Sequence, residues 1–321
     1  MIYLRLLLCV LLIPGFAGAA NPYREAYSLE EALKHPLEVE ELYLSRQHLT
    51  ELPADIGRLL NLKKLILHSN RLHKLPDEIG KLQLLREINL NENQFTHFPA
   101  VLLSVHSLEH LSLGKNQLKQ FPEEASRMVN LKRLELNQNA FTQFPVAVLS
   151  LVNLTTLDLA GNPIPHLPTN LSALTNLQSL MLSHNGFTSF PKEILHLSNL
   201  RELYLGKNLI ARLPAEIAQL SNLRSLMLSD NRFAVFPKEV LSLTNLRELY
   251  LNNNQLTSLP AEISRLTNLH ALGLDHNQLT SLPDSLSELT ELIVVFLSEN
   301  PVTLTNQTRL ARQLPKVQLE F

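Results

Sequence analysis

Four large side chains suited to molecular recognition recur at intervals of 23 residues, at Met181, Tyr204, Met227 and Tyr250. Methionine carries a flexible, polarizable thioether, and tyrosine combines a large apolar ring with a hydroxyl that donates or accepts a hydrogen bond. Grouped on a surface, such residues are typical of sites that bind another protein. Their regular spacing predicts a repeated scaffold that places the four side by side. We call these four residues the Met/Tyr stripe.

Residues that could bind a metal or catalyse a reaction do not have the necessary spacing. The chain has 12 histidines and one cysteine, Cys9. His184 and His276 occupy equivalent places four repeats apart, which is roughly 20 Å at the strand spacing of a sheet and far too long for one zinc site. No Ser/His/Asp set, glycine-rich phosphate loop or paired-carboxylate motif stands apart from the repeat. The sequence therefore predicts no metal site, no cofactor and no enzymatic activity.

A unit of 23 residues, LxxLxLxxNxLxxLPxxIxxLxN, supplies the spacing and recurs twelve times without insertion or deletion. Its first part alternates apolar and polar residues as a strand does. Its second part begins with a proline, which suits the first position of a helical turn, and continues with apolar residues at helical spacing. The units begin at Val39, Leu62, Leu85, Leu108, Leu131, Leu154, Leu177, Leu200, Leu223, Leu246, Leu269 and Leu292.

One such unit cannot bury its apolar side alone, so stacked units are expected to share a core. The predicted fold class is α/β, a right-handed β-α superhelix with a parallel sheet on the concave face and short helical or 3-10 turns on the convex face. The ninth residue of every unit except the first, which has Gln47, is an asparagine expected to satisfy backbone groups at the turn after the strand. This structural ladder comprises Asn70, Asn93, Asn116, Asn139, Asn162, Asn185, Asn208, Asn231, Asn254, Asn277 and Asn300.

The repeat resembles the leucine-rich repeat family over residues 39–304, and its LPxxIxxL half is similar to the 23-residue type found in bacteria. The segments 27–39 and 314–321 are similar to the caps of secreted leucine-rich repeat proteins of pathogenic spirochaetes. This resemblance implies a solenoid that binds protein partners at a cell surface or in the medium. Animal members usually carry disulfide-rich caps, so the lack of cysteine after Cys9 indicates a bacterial protein.

The ends of the chain differ from the repeats. Residues 1–19 contain one cation, Arg5, an apolar run and the small residues 17–19, which together predict a secretory signal peptide. The uncharged run is shorter than the roughly 20 residues that span a bilayer. Residues 20–38 are predicted to form an N-terminal helical cap, residues 39–304 the twelve repeats, and residues 305–321 a C-terminal helix–strand cap.

Charge and export narrow the class of partner. The formal net charge is −2, which gives no general attraction to nucleic acid or to an anionic membrane. We predict an exported protein (secreted, cell-surface or periplasmic), without a transmembrane segment after leader removal. The expected partner is a protein, and host surface or matrix proteins are one class of it. The oligomeric state is left open.

Residues two, four, six and seven places after each unit's start are expected to line the concave face. The Met/Tyr stripe occupies the fourth place in four consecutive units, and the small residues Ser183, Gly206, Ser229 and Gly273 beside it should leave it accessible. Its predicted rim consists of Glu202, Lys207, Asp230 and Glu248. A second explanation stays open, because residues 179–208 and 225–254 are near copies and duplication alone would repeat a Met–Tyr pair.

Two other functions are consistent with the repeat. The apolar side chains of the stripe could pair with another copy, which would make the protein a self-associating structural component of the envelope. Retention of residues 1–19 in the cytoplasm would instead favour an intracellular signalling scaffold. Mass measurement in solution distinguishes the first alternative, and the location and N-terminus of the protein distinguish the second.

Overall fold

The computed structural model describes residues 23–321, so the predicted signal peptide, residues 1–19, lies outside the described residues. Fourteen strands form one sheet in which each strand pairs in parallel with the next along the chain. The strands β1 to β14 are Glu25–Ala26, Glu41–Tyr43, Lys64–Ile66, Glu87–Asn89, His110–Ser112, Arg133–Glu135, Thr156–Asp158, Ser179–Met181, Glu202–Tyr204, Ser225–Met227, Glu248–Tyr250, Ala271–Gly273, Val294–Phe296 and Gln318–Glu320.

The strands of the repeats pair in register, so equivalent residues of consecutive repeats lie side by side. Leu226 of β10, for example, pairs with Leu203 of β9 and with Leu249 of β11, and all three side chains are buried. The 23-residue period therefore becomes a stack with one strand per repeat. This confirms the predicted leucine-rich repeat solenoid with its parallel sheet.

Short 3-10 turns return the chain from one strand to the next. They span Ala54–Arg58, Asp77–Lys81, Ala100–Ser104, Glu123–Arg127, Val146–Ser150, Leu171–Ala173, Lys192–His196, Ala215–Gln219, Lys238–Ser242, Ala261–Arg265 and Asp284–Glu288. Proline precedes most of these turns instead of occupying their first position. Pro53, with an extended ψ of 148°, accepts a hydrogen bond of 3.1 Å from the Ile56 N–H through its carbonyl oxygen. It thus caps the turn without needing an N–H of its own.

The core lies between the sheet and the 3-10 turns. Strand leucines meet the apolar residues of the turns, such as Ile217 and Ile263, which are fully buried. The phenylalanines Phe95, Phe141 and Phe233 are at most 1% exposed and belong to the same hydrophobic core as the strand leucines. Burial of a side chain of this size contributes roughly 1.5–3 kcal/mol. Every repeat therefore depends on its neighbours for part of its stability.

The predicted asparagine ladder is visible at Asn208. Its Oδ1 accepts hydrogen bonds from the N–H groups of Asn185 and Phe187 in the preceding repeat, and its Nδ2 donates to the carbonyl oxygens of Leu182 and Leu205. Asn70 and Asn162 also accept two N–H groups, and most other members of the ladder accept one, as Asn254 does from Phe233. These bonds satisfy backbone groups that leave the sheet at the turn, which is a structural function.

Asn185 differs from the other members of the ladder, because its buried Oδ1 has no hydrogen-bond partner. The equivalent donor would be the N–H of Ile164, but that group donates to the carbonyl oxygen of Asn162 in its own turn. Pro163 lies between these two residues; only the last repeat also has a proline at this place, Pro301, and there the Val302 N–H donates to Asn300 in the same way. The sequence predicted a continuous ladder and did not predict this local break.

Two α-helices lie near the ends of the described chain. The first, α1, spans Leu29–Ala32, and the Ser28 hydroxyl accepts a hydrogen bond of 3.1 Å from the Glu31 N–H, as a helix cap does. The second, α2, spans Leu304–Gln313 and is followed by β14. Strand β1, which precedes α1 and pairs with β2, was not predicted from the sequence.

Candidate protein-binding face

The Met/Tyr stripe occupies the last position of four consecutive strands, β8 to β11. Met181 pairs with Tyr204, Tyr204 with Met227, and Met227 with Tyr250. At a strand spacing of about 4.8 Å, the four side chains form a continuous row of roughly 15 Å. All four are half-buried, since neighbours on the same face of a sheet cover part of one another.

Beyond Tyr250 the row continues to Phe296, which was not among the predicted site residues. Gly273 pairs with Tyr250 on one side and with Phe296 on the other. The Tyr250 ring lies over Gly273, where a Cβ would collide with Cδ1 of the ring. The rings of Tyr250 and Phe296 stack, with centroids 6.4 Å apart and planes at 30°. The sequence indicated only a small residue beside the stripe, whereas the structure shows that this glycine joins two aromatic rings.

Both tyrosine hydroxyls of the stripe stay neutral over a wide pH range. Partial burial raises the pKa of Tyr204, and the nearby Glu202 and Glu248 carboxylates raise it further. Burial and the Glu248 carboxylate also raise the pKa of Tyr250. The Tyr204 hydroxyl donates a long hydrogen bond of 3.5 Å to Glu202. A partner would therefore meet two neutral hydroxyls on an otherwise apolar row.

The predicted rim separates into two parts in the structure. Glu202 and Glu248 are half-buried on β9 and β11, on the same face of the sheet as the stripe. Lys207 and Asp230 lie instead in the turns after β9 and β10, where both backbones are left-handed, with φ of 54° and 57°. The two glutamates are thus part of the candidate face, and the other two residues lie at its edge.

A concavity of about 460 Å³ lies beside the stripe at the start of the strands. Its lining includes Met181 and three exposed arginines that immediately follow the first leucine of repeats eight, nine and ten, namely Arg201, Arg224 and Arg247. We call these three residues the arginine row and the concavity the arginine pocket. The signal for this row in the sequence is arginine at the same place in three successive units, one residue before each strand and outside the places expected to line the concave face.

Known proteins with related sequence or structure match most of the chain. The family model for a leucine rich repeat matches residues 37–95, 60–118, 221–279 and 244–302, and the model for a leucine-rich repeat region matches residues 122–229. A leucine-rich repeat protein of Leptospira interrogans has 31% identity and a TM-score of 0.63, over 92% of this chain and 99% of that chain. The chain belongs to the leucine-rich repeat family. Its similarity to a spirochaete member agrees with the expected resemblance to spirochaete proteins of this family.

Two other solved structures are similar in fold to this leucine-rich repeat chain. The ectodomain of the Arabidopsis thaliana receptor kinase GASSHO1/SCHENGEN3 is 30% identical, with a TM-score of 0.63, over 82% of this chain and 36% of that chain. An internalin of Listeria monocytogenes shares the fold, with a TM-score of 0.69 at 20% identity over 90% of this chain and 88% of that chain. The chain spans about a third of the plant ectodomain. No curated protein matches it.

Beside the stripe of this leucine-rich repeat chain lies a polar region that includes Glu135 and Asp158. The two residues pair in register on β6 and β7, and Asp158 also pairs with Met181 of the stripe. Arg133 Nε donates to Glu135 over 2.7 Å, and Asn91 Nδ2 donates to it over 3.1 Å. Burial raises the pKa of Asp158 to about 6, and the negative charge of Glu135 adds to that effect.

This polar region does not form a recognisable metal site. Within residues 23–321, no group of three or more His, Cys, Asp or Glu side chains is placed to hold a metal ion. Hydrogen bonds inside the protein instead occupy its carboxylates, and the Ala160 N–H donates to Asp158 over 2.9 Å. In the same part of the chain, no helix is long and apolar enough to cross a membrane.

Proposed function

We propose that this protein is an exported, non-catalytic module that recognises a protein partner through the concave face around repeats seven to ten. The observation that carries the proposal is the continuous row formed by the Met/Tyr stripe and Phe296. Large amphipathic side chains held side by side on a rigid sheet lose little conformational freedom when a partner covers them. Aromatic residues in such a position are typical of the energetic centre of an interface.

The use of the fold in a related protein supports binding as the function. The Arabidopsis receptor-kinase ectodomain, 30% identical over 82% of this chain, is in complex with CASPARIAN STRIP INTEGRITY FACTOR 2 in its crystal structure. The leucine-rich repeat family consists typically of non-catalytic interaction modules. Export is proposed from the composition of residues 1–19, and a host surface or matrix protein is one class of partner that an exported protein would meet.

The chemistry of the row defines what a partner must offer. The methionine side chains adapt to apolar groups of different shapes, and the tyrosine rings supply flat apolar area. The hydroxyls of Tyr204 and Tyr250 are neutral, and burial raises the pKa of both further, so they can donate or accept hydrogen bonds at the surface. A partner segment with apolar side chains and free backbone groups would satisfy both requirements.

A binding experiment with two tyrosine variants tests the proposal. Purified protein is immobilised, exposed to host-cell surface and matrix proteins, and compared with the double variant Tyr204→Ala/Tyr250→Ala. The matched control is Tyr27→Ala/Tyr43→Ala, because these two rings stack at the other end of the sheet with centroids 5.5 Å apart. Circular dichroism checks that each variant is folded.

Capture of the same partner by the wild type and the control variant, and not by the stripe variant, is the expected result. Equal capture by all three proteins would remove the stripe from the interface. Light scattering on the same samples tests self-association. A wild-type dimer that dissociates only in the stripe variant would replace hetero-binding with an envelope-assembly function.

A further inference from the structure

The residue after the first leucine of each repeat forms a row along the start of the strands, and its charges change along the solenoid. In the first five repeats, oppositely charged neighbours neutralise one another. Lys63 pairs with Glu40 at 2.7 Å, and Glu109 pairs with Lys132 at 2.6 Å and with Arg86 at 3.5 Å. The charges in this part of the row are therefore paired with one another, and a charged ligand would have to break existing ion pairs to bind there.

The arginine row in repeats eight to ten has no such compensation. None of Arg201, Arg224 and Arg247 forms an ion pair with another residue of the described chain, and all three side chains are exposed. Three like charges in succession repel one another. A surface that places cations together without ion pairs to neighbouring carboxylates is complementary to an anion from outside.

Backbone hydrogen bonds hold the three arginines in register. The carbonyl oxygen of Arg201 accepts from the N–H groups of Arg224 and Ser225, at 2.7 and 3.0 Å. The carbonyl oxygen of Arg224 accepts from Arg247 and Glu248 in the same way, at 2.8 and 3.0 Å. The arginine backbones are therefore spaced by about 4.8 Å, the distance between strands. Two neighbouring guanidinium groups at this spacing can both reach one carboxylate.

The arginine pocket also contains a buried side-chain hydroxyl without a hydrogen-bond partner. Ser179 is only 6% exposed, lines the pocket, and has a buried Oγ without a hydrogen-bond partner. Ser225 is its equivalent two repeats later and is also 6% exposed, but its Oγ donates to Glu248 over 2.9 Å. The equivalent acceptor for Ser179 would be Glu202, which instead accepts from Tyr204. A buried hydroxyl left without a partner is costly unless a ligand or water satisfies it.

We infer that the arginine pocket binds an aspartate or glutamate side chain of a partner polypeptide whose apolar side chains lie on the Met/Tyr stripe. Met181 belongs to both the pocket and the stripe, so one extended segment can contact both. The guanidinium groups would hold the carboxylate through charge-assisted hydrogen bonds. The Ser179 hydroxyl would donate a further hydrogen bond to the same group.

The charge of the lining favours isolated carboxylates over a polyanion. Glu202 and Glu248 also line the pocket, between and beside the arginines. A densely charged chain such as a sulfated polysaccharide would meet these two carboxylates along with the arginines and be repelled by them. An acidic side chain flanked by neutral and apolar residues avoids that repulsion. The inference rests on the proposed function, because it names the chemistry of the partner at the same face.

Selection from a displayed library of random dodecapeptides on the purified protein tests the inference. Enriched peptides are synthesised with a fluorescent label, and each is paired with a version whose acidic residues are replaced by their amides. Affinities are measured for the wild type and for the triple variant Arg201→Gln/Arg224→Gln/Arg247→Gln. The matched control is Arg212→Gln/Arg232→Gln/Arg265→Gln, which removes three exposed arginines from the same three repeats outside the pocket lining.

The expected peptides combine acidic and apolar residues. Replacement of their acids by amides should weaken binding at least tenfold in the wild type and the control variant, but less than twofold in the triple variant. Ser179→Ala should also weaken binding of the acidic peptide, whereas Ser225→Ala should leave it nearly unchanged because the Ser225 hydroxyl is already bonded. Equal sensitivity to the amide replacement in all the arginine variants would overturn the inference, and so would the absence of enriched peptides.

Two further measurements distinguish failure of this inference from failure of the proposed function. They are the affinity of the selected peptides for the Tyr204→Ala/Tyr250→Ala variant and the binding of a heparin octasaccharide. Peptides that require Tyr204 and Tyr250 but carry no essential acid would uphold the proposed function and overturn the inference. Acidic peptides that require the arginine row but not the tyrosines would support the pocket and remove the stripe from the interface. Binding of a heparin octasaccharide that is lost only in the triple arginine variant, without enrichment of acidic peptides, would show that a polyanion is the occupant and that the inferred peptide is wrong.

Discussion

The ring of Tyr250 lies directly over Gly273 of the next repeat, in the space that a side chain would fill at any other residue type. This contact brings the ring to Phe296, two strands away, with centroids 6.4 Å apart. The row of large side chains is thereby extended past a position that has no side chain of its own. Gly273 is buried at ordinary strand geometry, so its importance here lies in the space it leaves and not in its backbone freedom.

We expect Gly273→Ala to weaken partner binding by moving the Tyr250 ring. The added methyl group would collide with Cδ1 of the ring and with Oδ1 of Asn252, both of which belong to side chains that can rotate away. Overpacking in such a place costs about 1 kcal/mol of stability, at the low end of the usual range. Calorimetry of partner binding and urea unfolding of the same samples measure the two effects.

A double-mutant cycle supplies the control for this prediction. In a Tyr250→Ala background, Gly273→Ala should have a much smaller effect on affinity, because there is no ring left to displace. An undiminished effect in that background would mean that the glycine acts on binding by another route. Loss of binding with a large loss of stability would instead indicate a general disruption of β12.

Replacement of Asn208 by alanine should cost more stability than replacement of Asn185, because only the Oδ1 of Asn208 accepts hydrogen bonds. Asn208→Ala removes two bonds accepted by Oδ1 and leaves buried N–H and carbonyl groups unsatisfied, at a cost of about 2–4 kcal/mol. Asn185→Ala removes only donated bonds, to Leu159 and Ser183, since its Oδ1 has no partner. We therefore expect a cost smaller by about 1–2 kcal/mol at Asn185.

Urea unfolding of both asparagine variants at neutral pH measures this difference. The two positions are one repeat apart and similarly buried, at 4% exposure each, so the comparison isolates the hydrogen bonds. Equal losses would contradict the interpretation that Pro163 interrupts the ladder. Repetition with Asn70→Ala, whose Oδ1 also accepts two N–H groups and whose Nδ2 donates to the carbonyl oxygens of Leu44 and Leu67, should reproduce the larger cost.

Asp158 should make the folded protein less stable as the pH rises from about 4 to about 6. Burial raises the pKa of this carboxyl to about 6 from a usual value of 3.8, with the Glu135 charge adding to the shift. In this window the folded protein binds more protons than the unfolded chain, so the free energy of unfolding falls with pH, by up to about 3 kcal/mol. Above that window the loss is complete and remains.

Asp158→Asn tests this pH dependence without removing the acceptor for the Ala160 N–H, which the amide oxygen retains. The variant should gain stability over the wild type at pH 7 and lose most of that gain at pH 4. Chemical denaturation across this pH range measures the free energy of unfolding of both proteins. Subtracting one from the other cancels the contribution of most other carboxylates, which both proteins share. A difference that does not change with pH would show that Asp158 is ionised normally in the folded state.

Removal of one charge from the row at the start of the strands should raise the melting temperature in repeats eight to ten and lower it in repeats one to five. Arg224→Gln should raise the melting temperature at low salt, because it relieves repulsion from Arg201 and Arg247. Lys132→Gln should lower it, because it removes an ion pair of 2.6 Å with Glu109. Both shifts should be small and should disappear in 1 M salt, since exposed charges are screened. Shifts of the same sign would contradict the contrast between the paired and unpaired halves.

The period of the chain was sufficient to predict the solenoid, its parallel sheet and its buried leucines. Each residue of a repeat meets the same residue of the next repeat, as Leu203 meets Leu226, so a pattern of 23 residues determines the neighbours in the stack. The place of the Met/Tyr stripe in four adjacent strands follows from the same rule. Backbone pairing between the strands decides which equivalent residues lie side by side. The spacing of residues in the sequence is therefore sufficient to predict these neighbours.

Side-chain relationships that break the period needed the tertiary structure. The lean of Tyr250 over Gly273, the unpartnered Oδ1 of Asn185 and the free hydroxyl of Ser179 each depend on which neighbour is small, turned away or already bonded. The elevated pKa of Asp158 depends in the same way on how far neighbouring strands bury it. The repeat period is enough to predict the scaffold because local periodicity sets the backbone, whereas the packing of side chains in three dimensions establishes which groups remain unsatisfied and therefore available to a partner.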